Sequence, residues 1–127
     1  MTFKNMQFIL LSSDLMLISA AQGAADRHGA RVAVIGDAVG VAERCAAEPI
    51  ELVAIDLRTP GLDIGGVVQQ IRAAAPQAVI LAGGPHVQRD SLAAAVAAGC
   101  DEVVTRGQFE GRLDALVARL ASDSQES

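Results

Sequence analysis

Five times in succession, a short apolar run is followed by a stretch with helical spacing, and the whole pattern is completed within 127 residues. Met6 to Leu11, Arg31 to Ile35, Leu52 to Asp56, Ala78 to Ala82 and Glu102 to Thr105 read as strands, being brief, apolar and bounded by turn residues. Asp14 stands where an N-cap would open a first helix, with Leu15, Ile18, Ala21 and Ala25 on its inner face and Gly29 as its stop. Further helices are expected over Val39 to Ala47, over Gly65 to Ala75, and in the Ala-rich stretch that Gly99 closes. The last helix carries Phe109, Leu113, Leu116, Val117 and Leu120 every three or four residues as a core-facing stripe. Within it, the adjacent Leu116 and Val117 are not expected to face inward equally. Gly83-Gly84-Pro85 reads as a tight turn, residues 1–121 as one domain and residues 122–127 as a disordered tail.

A strand-helix unit repeated in this way has few solutions. Parallel strands need long crossovers, nearly all crossovers are right-handed, and helices then cover both faces of the sheet. The expected fold is α/β, a single-domain flavodoxin-like doubly wound five-stranded parallel sheet. Composition agrees, with 51% hydrophobic and 20% charged residues and a net charge of -5. That is enough apolar content for a core, without the roughly 18-residue apolar run that a membrane span needs. An acidic chain with 2% aromatic residues offers neither a basic phosphate-tracking surface nor a stacking platform, so no direct nucleic-acid partner and no membrane are expected. Two distant cysteines, Cys45 and Cys100, suggest no disulfide framework, and a reducing cytoplasm is the expected compartment.

In doubly wound sheets, ligands and chemistry collect beyond the carboxyl ends of the strands. Those positions here are Ser12, Ser13 and Asp14, then Asp37, Asp56, Ala82 with Gly83, and Arg106. No Gly-rich phosphate fingerprint follows the first strand, which disfavours a dinucleotide or P-loop site. His28 and His86 lack partners at ligand spacing and read as exposed turn residues, and Asp37 and Asp63 as solvated loop acids.

The stretch LVAIDLRTPGLDIGGVVQQIR resembles the third strand, phosphoacceptor loop and following helix of response-regulator receiver domains of two-component systems. AAGCDEVVTRGQF resembles that family's fifth strand with its Lys. The resemblance implies a CheY-like fold, Asp56 as phosphoacceptor candidate and Arg106 at the Lys position. The family's metal-holding acidic pair falls on Ser12 and Ser13, its hydroxyl residue after the fourth strand on Ala82, and its switch aromatic on Val103. Arg58 falls where the family uses only a backbone carbonyl, so no role is expected for its side chain. Asp14 and Asp56 are the remaining metal-ligand candidates, with Asp14 better used as a helix cap. Arg106 is expected to pair with Asp56.

The resemblance therefore implies a degenerate receiver, or pseudo-receiver. It would act as a protein-interaction module rather than an enzyme, with a kinase, phosphotransfer or regulatory protein, or a second copy, as partner. No cofactor is expected, and Mg²⁺ only if Asp56 can be phosphorylated. The alternative is a working phosphoacceptor domain using Asp56 and Mg²⁺. A third reading comes from ILAGGPHV with DEVVTRGQ, which resembles the cobalamin-binding domains attached to some radical SAM enzymes. The D-x-H-x-x-G pattern of those domains is absent after the first strand, the only D-x-H being Asp26-Arg27-His28.

Overall fold

Each apolar run becomes a strand, and the five strands lie side by side in the order β2-β1-β3-β4-β5, all parallel. The computed structural model describes residues 5–125. In chain order the elements are β1 (Gln7–Leu11), α1 (Leu15–His28), β2 (Arg31–Ile35), α2 (Ala38–Ala47), β3 (Leu52–Asp56), α3 (Ile64–Ala74), β4 (Val79–Gly84), α4 (Arg89–Ala98), β5 (Glu102–Thr105) and α5 (Arg106–Gln125). This is the expected flavodoxin-like doubly wound sheet. No helix among the described residues is long and apolar enough to cross a membrane.

Side chains alternate across a strand, so each interior strand feeds two cores. Phe8, Leu10, Leu52 and Ala54 pack with α1 and α5 on one face. Ile9, Leu11, Val53 and Ile55 pack with α2, α3 and α4 on the other. β3 is central and buried at every residue, including Asp56. The sheet thereby carries one carboxylate to the edge of an otherwise apolar interior.

Several local expectations are corrected. The inner face of α1 is Leu17, Ala21, Ala24 and Ala25, whereas Leu15 is 81% exposed. Asp14 caps the helix through Met16 and Leu17, which leaves Leu15 and Met16 in the open first turn. Leu116 and Val117 are both fully buried. α5 packs against the sheet and α1 together, so neighbouring positions about 100° apart on the helix both find cover. Gly83 and Gly84 belong to β4 instead of a turn. A Cβ at Gly83 would lie 2.3 Å from Cδ2 of Phe109, so glycine there lets the α5 ring sit directly on the β4 backbone. α5 runs on through Gln125, past the point where a tail was expected, and residues 126 and 127 lie outside the described residues.

Asp37 and Asp63 are exposed as expected but also work, accepting from Gly40 N and Gly66 N as N-caps of α2 and α3. At the start of α5, Gln108 Oε1 accepts from the Thr105 N–H at 3.1 Å, a capping-box contact whose T-x-x-Q spacing is visible in the sequence. Cys45 is buried and Cys100 half-buried. Burial pushes both thiols up, Cys100 to about 11 with Asp101 adding to the effect, which keeps them protonated packing groups. His28 is not a free turn residue, since its Nε2 lies 3.2 Å from Asp114 Oδ1 on α5.

Candidate functional site

The carboxyl ends of β1 and β3 are adjacent in the sheet, and they bring Ser12 and Asp56 together. Asp56 is 4% exposed. Its Oδ2 accepts from Ser12 Oγ at 2.7 Å, and its Oδ1 accepts from the Arg58 N–H at 3.0 Å. The Arg58 Nε is 3.5 Å from the same Oδ1. Thr59 closes the loop behind it, with Oγ1 donating to the Asp56 carbonyl at 2.7 Å. The carboxylate is thus held in place by groups from its own loop and from Ser12, which follows β1.

Asp14 is the second carboxylate of the site, and its two oxygens are divided between tasks. Oδ1 accepts from Met16 N and Leu17 N at 2.8 and 3.1 Å, capping α1. Oδ2 accepts from Arg58 Nη2 at 2.6 Å and from Arg106 Nη2 at 3.1 Å. The Leu17 amide first, then Arg58, with smaller help from Arg106 and Met16, hold this carboxyl well below the usual carboxylate range. Arg58 in turn is pushed up, chiefly by its bond to Asp14. Ser12 links the two acids further, since its Oγ accepts from the Asp14 N–H at 3.0 Å.

The expected site residues separate as follows. Ser12, Asp14, Asp56 and Arg106 come together, whereas Ser13 is exposed beside them. Ala82 is fully buried, and Val103 is half-buried opposite it in the β4-β5 register. The expected Arg106–Asp56 pair is not formed: Arg106 pairs with Asp14 instead. Asp56 is already enclosed by Ser12 and the Arg58 loop, while Asp14 Oδ2 projects from the start of α1 toward the start of α5. Asp14 is also more than a cap, because its second oxygen joins the site. Arg58 is the residue that sequence reasoning missed. Its partners are Asp56, two residues away, and Asp14, 44 residues away, and only the β1-β3 adjacency makes the second one visible.

Chemically the cluster is two carboxylates matched by two guanidiniums. Mg²⁺ demands near-octahedral oxygen coordination and binds through carboxylates that still have lone pairs to give. Here Arg58 spans the two acids, Ser12 and Ser13 stand at both positions of the expected acidic pair, and among the described residues no three His, Cys, Asp or Glu side chains are grouped as metal ligands. The donor set does not fit the divalent ion that the sequence resemblance implies.

Neither a protein-family model nor a curated protein matches the chain. Solved structures do. The receiver domain of a sensor histidine kinase from Pseudomonas aeruginosa, with a magnesium ion coordinated in its active-site cleft, superposes with a TM-score of 0.76 at 16% identity, covering 94% of this chain and 99% of that one. A CheY-like protein of the same organism, tadZ, gives 0.71 at 20% identity over 91% and 99% of the two chains. The signal receiver domain of an HD domain-containing protein from Pseudomonas fluorescens gives 0.78 at 16% identity over 99% and 93%. At such identities what is shared is the fold, and the fold of this chain is that of the CheY-like receiver domains.

Proposed function

We propose that this chain is an atypical receiver-like signalling module that works through protein contacts without a phosphorylated Asp56. The observation that carries the reading is the state of the Asp56 carboxylate, buried with both oxygens already accepting hydrogen bonds from Ser12 and Arg58. Transfer of a phosphoryl group to a carboxylate needs an oxygen free to attack in line and a cation to neutralise the approaching anion. Each Asp56 oxygen already accepts a hydrogen bond, so an attack on phosphorus competes with Ser12 or the Arg58 amide, and the local cations are spent on Asp14 and Asp56 themselves.

The interaction side of the reading rests on exposed apolar residues. Leu15, Met16, Val39 and Val87 are 81, 70, 67 and 75% exposed. Each lies in the first turn of a helix or the loop before one, hence at the same end of the sheet as Asp56. Exposed apolar side chains at that end of the sheet suit a protein partner. A kinase, a phosphotransfer or regulatory protein, or a second copy would meet the module there in the cytoplasm, with no turnover of substrate by the module itself.

The test is intact-mass measurement after incubation with Mg²⁺ and a small phosphodonor, for wild type and Asp56→Asn. Unchanged mass in both is expected. A phosphoryl adduct on wild type that disappears in Asp56→Asn would overturn the proposal and make Asp56 a working phosphoacceptor.

A further inference from the structure

We infer that the Arg58 guanidinium is a tethered cation that takes the place of a divalent ion between Asp14 and Asp56 and keeps such ions out. Arg58 Nη2 is 2.6 Å from Asp14 Oδ2, and Nε is 3.5 Å from Asp56 Oδ1, so one side chain spans both carboxylates. A planar, permanently charged fork suits this task. It neutralises charge as a metal would, but it fills the space with donors and presents no vacant coordination position. Among the described residues Arg106 pairs with Asp14 and not with Asp56. The two arginines therefore contribute equal charge and unequal occupancy.

That difference makes the inference testable. The Arg58 side chain is 39% exposed, so shortening it opens no core cavity. Its removal leaves Asp14 Oδ2 and Asp56 Oδ1 facing a common opening with one uncancelled negative charge. The inference deepens the reading above and can fail separately from it, because it concerns cation binding and not phosphorylation.

The experiment is titration of the protein with Mn²⁺, reading the free-ion signal by electron paramagnetic resonance, with circular dichroism to verify folding. Wild type is expected to leave the signal unchanged. Arg58→Ala should bind Mn²⁺ at least about tenfold more tightly, as expected when one positive charge is removed a few ångströms from the ion. Asp56→Asn added to Arg58→Ala should abolish that gain, and Arg106→Ala alone should show much less of it. Arg58→Met keeps the length of the stem without the charge, and it serves the same purpose if the alanine variant unfolds. Three results would each overturn the inference: wild type itself depleting the free Mn²⁺ signal, folded Arg58 variants binding no tighter than wild type, or equal gains from Arg58→Ala and Arg106→Ala. A wild type that binds Mn²⁺ yet takes no phosphoryl group would sink this inference alone.

Discussion

Ser12 and Asp56 are 44 positions apart in the chain and are joined by a 2.7 Å hydrogen bond between two buried side chains. The serine donates to a carboxylate that is almost closed off from solvent. This contact ties the end of β1 to the end of β3.

Ser12→Ala removes that donor and leaves one oxygen of a buried carboxylate unsatisfied. The expected cost is about 1–3 kcal/mol, the penalty for stranding a buried polar group. The exposed neighbour is the control, and Ser13→Ala should stay within about 0.5 kcal/mol of wild type. Urea unfolding of both variants measures the difference, and equal effects would mean that the Ser12 contact contributes nothing.

Acid should destabilise the fold in a way that Asp14 helps to set. Its folded carboxyl is held below its usual value, as are those of Glu102 beside Arg112 and Asp114 beside Arg27. A depressed folded value means that the unfolded chain takes up protons first. The stabilisation is complete above the unfolded value of about 4 and is lost as pH falls through the lower folded values. Stability should hold from neutral pH to about pH 5 and decline below it. Asp14→Asn retains a capping oxygen without the charge, so it should lower stability at neutral pH and flatten the acid decline in pH-dependent thermal melts.

Packing of α5 on β4 predicts opposite outcomes for two glycines. Gly83→Ala would drive a methyl group into the Phe109 ring and should cost roughly 1–3 kcal/mol by overpacking. Gly111 is exposed within α5, with nothing within 4 Å of an added Cβ. Gly111→Ala should raise stability by about 1 kcal/mol through helix propensity. Denaturant midpoints that moved in the same direction for both would refute the packing argument.

The observed register of α1 is checked by two neighbours. Leu17→Ala removes a fully buried side chain and should cost about 2–5 kcal/mol. Leu15→Ser changes an exposed one and should shift stability by no more than about 0.5 kcal/mol.

Much of the architecture is legible along the chain, because periodicity and punctuation are local. β2, β3 and β5 begin and end where the apolar runs do, and Gly29 and Gly99 close α1 and α4 with positive φ as C-cap glycines. The errors fall where a neighbour decides. Leu15 shows the same apolarity as Leu17, and only the cap geometry at Asp14 turns one outward and the other inward. Gly83-Gly84 has the composition of a turn, yet pairing with β3 and β5 continues β4 through it, with the Phe109 ring seated on Gly83.

The sequence by itself determined the order of elements, the parallel sheet that this order requires, and the presence of an acid at the end of β3. Those follow from side-chain period, chain connectivity and handedness, all properties of adjacent residues. What the acid does was decided only by the tertiary structure. Charge pairing depends on distance through space, and the β1-β3 adjacency sets Asp14, Ser12, Asp56 and Arg58 within reach across 44 residues of chain while sending Arg106 to Asp14 instead of Asp56.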